Sequence, residues 1–358
     1  KLIEEAYERM QTDINASHIL FAVAEKATPS DTLKAYKKAI DVRNKILKGM
    51  DFTQAAKQYS DDKSALKNGG SLGYFSVFMM VYSFENAAYN TEVGKISKPV
   101  RTKYGYHLIK VNDKRKAIGE VKVAHIMFKI AKDASDQAIS TGKTKIDEIA
   151  TKLKNGEDFS DLAKQFSEDR ATAEKGGNIP WFGVGKMVKE FENAAFSLQS
   201  IDERTIPFKT DFGWHIVKLL EKKPIPSFEK VKDELKTKVH QDSRNALRDK
   251  ALISKIKKEY NFKAYTSRLN EISKYLDESL PEGKWASEKA NSLKRNLFVL
   301  DGKFYTQADF VSFILSKQMQ VKDNYQTYFN DLYQAFMSES CLSYENSRLE
   351  EKYPEFKA

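Results

Sequence analysis

The sequence predicts an α+β protein in which one small domain occurs twice, followed by a long helix and a mainly helical C-terminal region. Each copy is expected to be a small antiparallel sheet covered by helices. Two observations predict this class. A pattern of about 100 residues returns at an offset of 107 residues, and strand-like and helix-like segments follow in the same order inside both copies.

A series of matching motifs carries the repeat. The strand-like "SHILF" around His18 returns as "AHIMF" around His125, "YSDD" returns as "FSED", and "NGGSLGYF" returns as "KGGNIPWF". Further along, "FENAAY" returns as "FENAAF" and "RTKYGYHLI" as "KTDFGWHIV". Solenoid repeats span only about 20 to 50 residues, so this longer unit predicts two copies of a whole domain.

Periodicity predicts the elements of the first copy in order. A helical apolar pattern stops at Gly49, and Gly69-Gly70 marks a turn between a polar run and a strand. The expected elements are a strand at 16–23, a helix ending at Gly49, a helix at 52–59, a strand at 72–75, a helix at 84–89 and strands at 96–101 and 105–112.

A different pattern follows the second copy. Ser227 stands as an N-cap before a helical stripe, and the turn Asp301-Gly302 inside "NLFVLDGKFY" predicts a hairpin. Thr306 and Asp309 have the spacing of a capping box at the start of a helix. The stripe of the long helix consists of Phe228, Val231, Leu235, Val239, Leu247, Leu252 and Ile256.

These patterns define the expected domain organisation. We expect an N-terminal helix over 1–13, the first domain over 14–115, the second domain over 119–223, a long amphipathic linker helix over 226–261 and the mainly helical region over 262–358. The chain begins with Lys1 rather than Met and ends in "EEKYPEFKA". We therefore expect an internal segment of a longer protein, cut from any targeting signal.

Composition narrows the classes of function. Hydrophobic residues make up 41% of the 358 residues, which suffices for real cores, and 60 Lys and Arg are interleaved with 50 Asp and Glu. The net charge of +10 suits acidic clients or anionic surfaces, but no long basic run or nucleic-acid motif occurs, so we expect no nucleic-acid partner. Cys341 is the only cysteine, which excludes an intramolecular disulfide and a cysteine metal cluster.

Two histidines and one aspartate in each copy allow several kinds of chemistry. His18, His107 and Asp62 could supply three ligands of a metal site, but this set lacks further strong ligands. Ser60 could act as a nucleophile with a histidine base, although it stands in a polar turn without an exposed elbow. A buried histidine with both ring nitrogens satisfied is the third alternative.

In the order and spacing of these motifs, both copies resemble parvulin-type (rotamase, PpiC-like) peptidyl-prolyl cis–trans isomerase domains. The matching motifs in the first copy are "SHIL", "YSDD", "NGGSLGYF", "FENAAY" and "KPVRTKYGYHLI", and the second copy has their counterparts. Tandem units of this kind followed by helical segments also resemble SurA-like periplasmic folding factors of Gram-negative bacteria.

The resemblance implies a role for matching positions in each copy. The central histidines, the aspartate facing them and a threonine of their hydrogen-bond network would be His18, His107, Asp62 and Thr102 in the first copy, and His125, His215, Asp169 and Thr210 in the second. The proline pocket would be Leu72, Met80 and Phe84 in the first copy, and Ile179, Met187 and Phe191 in the second.

The resemblance also implies the function. It implies a peptidyl-prolyl cis–trans isomerase that twists Xaa-Pro bonds without covalent chemistry, needs neither cofactor nor metal, acts on unfolded or partly folded clients containing proline, and works in the periplasm on exported or outer-membrane proteins. A holdase-type chaperone that uses the same domains as peptide-binding modules, with little isomerase activity, is the alternative. Membrane tethering has no signal in the sequence.

Each copy also departs from the family pattern at one position. Phe78 in the first copy stands where the second has Gly185, so its ring is expected to narrow the first groove or to contact clients. Pro180 in the second copy stands where the first has Gly73. If only one copy is active, we expect it to be the second.

Overall fold

The structure, a computed structural model, describes residues 1–25, 27–131 and 133–352, and it divides into two compact units, Lys1–Asp242 and Ser243–Ala358. The predicted α+β class is confirmed. The first unit contains two small antiparallel sheets covered by helices, and the second is mainly helical.

The first copy forms a four-stranded antiparallel sheet in the order β2-β1-β4-β3. A helix precedes the sheet, and the first strand already begins at Thr12, ahead of the expected start. The elements are α1 (Leu2–Met10), β1 (Thr12–Ala22), α2 (Pro29–Leu47), α3 (Phe52–Tyr59), α4 (Ala65–Asn68), β2 (Ser71–Phe75), α5 (Tyr82–Asn90), β3 (Val100–Thr102) and β4 (Gly105–Lys116).

The second copy repeats this topology, with the order β6-β5-β8-β7. One further helix, α10, closes the first unit. The elements are β5 (Glu120–Lys129), α6 (Asp136–Lys154), α7 (Phe159–Phe166), α8 (Arg170–Ala173), β6 (Asn178–Phe182), α9 (Lys189–Ser197), β7 (Phe208–Thr210), β8 (Gly213–Lys223) and α10 (Phe228–Gln241).

Local sequence explains where the helices begin. The side chain of Thr28 accepts a hydrogen bond from the first turn of α2, and Pro29 occupies the first position of that helix, where a missing N–H costs nothing. Asp51 and Asp158 cap α3 and α7 in the same way, one in each copy. The repeated caps therefore set the same helix starts in both domains.

Each sheet is buried on both faces. In the first domain, Ile19 and Leu108 pack against α2 and α3, while Ile109 and Val111 pack towards α5 on the opposite face. Because side chains alternate along a strand, His18 and His107 lie on the face that meets α5. The fold thus places two polar rings between a sheet and a short helix.

The strand predicted at 96–101 is wrong in length. Only Val100–Thr102 forms β3, and Ile96 makes a single isolated bridge to Lys110. Pro99 lies between the two parts, and proline has no N–H to donate to a strand ladder. The edge of the sheet is interrupted there.

Helices α1 and α10 pack together and hold the loop before α5. Their shared core contains Ala6, Val231 and Leu235, with Val77 inserted from that loop. Phe78 packs against the same cluster. The half-buried ring thus has a packing role against two helices that lie far away in sequence, and its effect on the first groove or on clients stays a prediction.

The expected single helix over 226–261 is wrong. Helix α10 ends at Gln241, Asp242 is extended, and a separate helix, α11 (Asn245–Glu259), opens the second unit. Beyond this break the predicted apolar stripe is wrong at two of its three residues, because Leu247 is 44% exposed and Leu252 is 38% exposed, whereas Ile256 is buried as expected. A run of polar residues between the two helices offers no apolar side chain that would continue the stripe.

The second unit combines helices with a small antiparallel sheet in the order β11-β10-β9. The predicted hairpin at Asp301-Gly302 is confirmed by the pairing of Leu300 with Lys303, and the capping box of Thr306 and Asp309 is also confirmed. After α11 the elements are β9 (Lys263–Ala264), α12 (Thr266–Ser273), α13 (Glu288–Asn291), β10 (Asn296–Leu300), β11 (Lys303–Thr306), α14 (Gln307–Lys317), α15 (Tyr325–Ser347) and α16 (Leu349–Lys352).

An aromatic core stabilises this unit. Phe298 and Phe310 are fully buried; Phe310 stacks on Phe336 of α15, and Phe298 packs against the same ring at a tilt. Trp285 donates its indole N–H to the Tyr275 carbonyl. Among the helices that the structure describes, none has the length and apolar composition needed to span a bilayer.

Candidate active site

Two neighbouring strands bring the predicted histidines together in each domain. Leu20 pairs with His107 and His18 pairs with Ile109, so the two rings lie one diagonal step apart on one face. The second domain has the same register, in which His125 pairs with Val217 and Met127 with His215. The alternation of a strand, applied twice, therefore builds the same histidine pair in both copies.

In the first domain a continuous hydrogen-bonded chain runs through the histidines. Asp62 Oδ2 lies 3.0 Å from His18 Nε2, and the two Nδ1 atoms of His18 and His107 lie 3.3 Å apart. His107 Nε2 lies 2.8 Å from Thr102 Oγ1, which accepts the Tyr104 N–H. Because Thr102 Oγ1 accepts an amide, its own proton is available for His107 Nε2, which leaves His107 Nδ1 to donate to His18.

The second domain has the same groups in a looser arrangement. His125 Nε2 lies 2.8 Å from Asp169 Oδ2, and Thr210 Oγ1 lies 2.9 Å from His215 Nε2. The ring centroids of its histidines are 5.8 Å apart, compared with 5.5 Å in the first domain. Within the described residues, the buried Nδ1 atoms of His125 and His215 have no hydrogen-bond partner. Two unsatisfied polar atoms therefore lie inside this site.

The two sites have the same pattern of protonation. Burial, and to a smaller extent the neighbouring histidine of each pair, lower the pKa of His107 and of His215 from 6.5 to about 4. Burial alone would raise the pKa of Asp169, but hydrogen bonds from Thr172 and His125 outweigh it and keep that pKa below its usual value. The sites at neutral pH thus combine a neutral histidine with an ionised carboxylate.

A phenylalanine ring packs against each histidine pair. Phe84 meets His18 and His107 edge to face, with centroids 5.9 and 5.3 Å apart. Phe191 meets His125 and His215 in the same way, at 5.7 and 5.6 Å. The short helices α5 and α9 supply these rings from the start of the repeated "FENAA" motif.

A cavity of about 480 Å³ opens beside the second histidine pair. All seven residues predicted for the second copy line it, and its wall is mainly apolar. Its lining residues are His125, Met127, Asp169, Thr172, Ile179, Lys186, Met187, Val188, Phe191, Thr210, Phe212 and His215. In the first domain, Leu72 and Met80 pack against the apolar cluster that contains Phe84, so the three predicted pocket residues also come together there.

The sequence alone did not identify five of these lining residues. Thr172 is the most informative, because its hydroxyl lies 2.6 Å from Asp169 Oδ2 and 3.0 Å from His125 Nε2. Its only signal was its place three residues after Asp169, and the first copy has Ala65 there. The others are Met127, Lys186, Val188 and Phe212.

The loop before α5 and α9 is braced by a buried glutamate in both copies. Glu85 accepts the N–H of Phe78 at 2.7 Å, and Glu192 accepts the N–H of Gly185 at 2.9 Å. Phe78 and Gly185 both have positive φ, of 66° and 74°, so the two loops share an unusual turn despite their different residues. The turn orients Met80 and Met187 towards the sites.

The alternative chemistries find less support. Ser60 Oγ accepts the Leu20 N–H at 3.1 Å, and Ser167 Oγ accepts the Met127 N–H at 3.2 Å. Each serine hydroxyl is therefore bonded to the backbone of a strand rather than to a histidine base. Among the described residues, no group of three or more His, Cys, Asp or Glu side chains is arranged to hold a metal ion.

Comparison with known protein families identifies the class. The family model for the PPIC-type PPIASE domain matches the chain twice, over residues 2–115 and 113–223. Together the two matches cover more than half of the chain. The chain therefore belongs to the family with PPIC-type peptidyl-prolyl isomerase domains, and the predicted resemblance is confirmed.

Several relatives are chaperones. The chain is 34% identical over 212 residues to chaperone SurA of Nitrosococcus oceani, which covers 58% of this chain and 49% of that protein. It is 33% identical over 252 residues to chaperone SurA of Methylococcus capsulatus, covering 66% and 54%. A solved structure of the peptidylprolyl isomerase PrsA from Bacillus cereus is 40% identical and covers 35% of this chain and 43% of that chain, with a TM-score of 0.28. The chain spans about half the length of the curated relatives it matches.

Proposed function

We propose that the chain is a peptidyl-prolyl cis–trans isomerase that assists protein folding and that its second domain carries the main activity. One observation carries the proposal: an apolar cavity of about 480 Å³ lies directly beside the hydrogen-bonded His125, Asp169, Thr210 and His215. The size suits a prolyl ring with its neighbouring peptide groups.

The reaction explains why such a site needs no nucleophile. Isomerisation rotates a partial double bond over a barrier of about 18 to 20 kcal/mol and breaks no covalent bond. Ile179, Met187 and Phe191 would hold the prolyl ring in a dry pocket, which favours the twisted amide because it has less charge separation than the planar one.

The polar residues would act on the same twisted bond. Asp169 and Thr172 fix one face of His125, and Thr210 fixes His215, so both rings are held before substrate arrives. Preorganised polar groups stabilise a transition state without further reorganisation. We assign the corresponding roles in the first domain to His18, Asp62, Thr102 and His107, with Leu72, Met80 and Phe84 as its pocket.

The clients and the compartment extend this proposal. We infer that the substrates are unfolded or partly folded polypeptides containing proline, and that the protein acts in the periplasm on exported or outer-membrane proteins. The support is the identity of about one third to proteins named chaperone SurA, over 212 and 252 residues.

A holdase-type chaperone is the second candidate. The mouth of the second cavity exposes apolar side chains, with Phe212 59% exposed and Val188 38% exposed. Such a rim binds extended chain without reading its sequence. In that case the same pocket would retain client segments, and isomerisation would be incidental.

One assay separates the candidates. The rate of isomerisation of a proline tetrapeptide is measured for the intact chain, for Asp169→Ala and for Asp62→Ala. We expect Asp169→Ala to lower the rate by one to two orders of magnitude, by analogy with loss of a preorganised polar group, and Asp62→Ala to leave most of it. An inactive intact chain that still suppresses aggregation of an unfolded protein would instead establish the holdase.

A further inference from the structure

A lysine that has no acidic partner among the described residues lies in the wall of the second cavity. Lys186 lines the cavity together with Met187 and Phe191, and its side chain is exposed. Within the described part of the chain, Lys186 has no carboxylate oxygen within 4.0 Å of its Nζ. A free ammonium group beside an apolar pocket is available for a charge carried by the bound segment.

The backbone under this lysine is fixed. Glu192, only 5% exposed, accepts the N–H of Gly185 through both oxygens, at 3.1 and 2.9 Å. Because this buried carboxylate holds the backbone one residue before Lys186, the lysine stem leaves the loop at a defined point of the cavity rim.

The first domain differs at this position. Met79 stands where the second domain has Lys186, and its sulfur accepts the Ser76 N–H at 3.2 Å. Its methyl group packs against the second domain, because a Cβ added to Gly185 would lie 2.3 Å from Met79 Cε. The first site therefore has a neutral side chain, turned towards the other domain, in place of the ammonium group.

The other charges near the cavity do not cancel this cation directly. Asp169 is the carboxylate in the cavity wall, and its Oδ2 already accepts hydrogen bonds from His125 and Thr172. Lys189 and Asp211 are exposed nearby but do not line the cavity.

We propose that Lys186 gives the second site a preference for Xaa-Pro segments with an acidic residue directly beside the proline, and that the first site lacks this preference. The inference rests on the proposed isomerase function and names its substrate class. A prolyl ring held by Met187 places its neighbouring residue near the rim, where the Lys186 ammonium can pair with a carboxylate. Solvent-exposed ion pairs of this kind change an equilibrium by roughly two- to fivefold.

The experiment compares three peptides that differ only in the residue before proline: Ala-Glu-Pro-Phe, Ala-Gln-Pro-Phe and Ala-Lys-Pro-Phe. Exchange between the cis and trans forms is measured by NMR, which avoids the sequence preference of a coupling protease. The chain carries Asp62→Ala to weaken the first site. Lys186→Gln and Lys186→Glu are compared with the unaltered second site, and Lys189→Gln is the matched control for removing a nearby exposed lysine.

We expect kcat/KM for the Glu peptide to exceed that for the Gln peptide by roughly two- to fivefold, with the Lys peptide slowest. The ratio should approach one in Lys186→Gln, invert in Lys186→Glu and persist in Lys189→Gln. Equal rates for all three peptides, or a ratio that survives in Lys186→Gln, would overturn this inference alone. No acceleration of any peptide by the chain without substitutions would overturn the proposed function, and the inference with it.

Salt supplies an independent measurement without a change at Lys186. Raising NaCl from about 50 mM to about 500 mM shortens the screening length several-fold, so the ratio of Glu to Gln peptide should fall towards one. A ratio that stays constant over this range would contradict an electrostatic preference.

Discussion

Acidification should destabilise the second domain through its buried histidines, His125 and His215, of which His215 has the larger shift in pKa. His215 is 3% exposed, and burial lowers its pKa from 6.5 to about 4. The unfolded chain therefore binds a proton between these two values while the folded domain does not. The stabilisation is complete above about pH 6.5 and is lost progressively as the pH falls towards 4.

The size of the effect follows from the two pKa values. Between pH 7 and pH 5, the difference between 6.5 and about 4 removes about 2 kcal/mol from the free energy of unfolding. His107 has the same shift and predicts a similar loss in the first domain. Burial raises the pKa of Asp13 and of Glu192, so protonation of these two carboxyls stabilises the folded chain as the pH falls. The contribution of His215 to the free energy of unfolding must therefore be measured by comparing variants.

Urea unfolding followed by tryptophan fluorescence provides the assay. In a Trp285→Phe background, the remaining indoles are Trp181 and Trp214, both in the second domain. His215→Asn in this background should remove about 2 kcal/mol of the loss that occurs between pH 7 and pH 5. His240→Asn, at an exposed histidine of α10, is the matched control for the replacement.

The comparison can refute the reasoning. If His215→Asn retains the whole difference between the two pH values, His215 does not enter the folded domain as a neutral ring. The physical cause given for its low pKa, burial beside a second histidine, would then be wrong.

Two further variants test a hydrogen bond of the second site and a buried ion pair of the first domain. Thr172→Val removes the hydroxyl that donates a hydrogen bond to Asp169, so the isomerase rate should fall roughly tenfold while the urea midpoint moves little. An unchanged rate would show that Thr172 does not position Asp169. Arg9→Ala removes the ion pair to Glu85, whose side chain is fully buried, and should lower the free energy of unfolding in urea by roughly 3 to 5 kcal/mol. Arg248→Ala, at an exposed arginine, is the control, and an effect of Arg9→Ala no larger than that of Arg248→Ala would contradict this prediction.

The repeat made much of the fold and the candidate site predictable. Two aligned copies separate positions that recur from positions that vary, and the period of a strand places His18 and His107 on one face. The eight polar and six apolar residues proposed for the two sites fall together for this reason. Their spacing in each copy reflects one topology used twice.

Contacts between distant segments were not predictable. Phe78 packs on α1 and α10, and no local pattern indicates such partners. The break after Gln241 was missed because apolar residues resume at Leu247, Leu252 and Ile256, although the polar run after Val239 interrupts the stripe. Thr172 was missed because its hydroxyl reaches Asp169 and His125 only after α8 has formed.

The central claim is that the chain accelerates rotation about Xaa-Pro bonds through its apolar pockets. NMR exchange spectroscopy on a proline tetrapeptide with a small fraction of the intact chain measures this rotation directly. We predict exchange well above the uncatalysed rate, which takes tens of seconds or more, and loss of that acceleration in the double variant Phe84→Ala/Phe191→Ala. Exchange at the uncatalysed rate in the presence of the folded intact chain would contradict the claim.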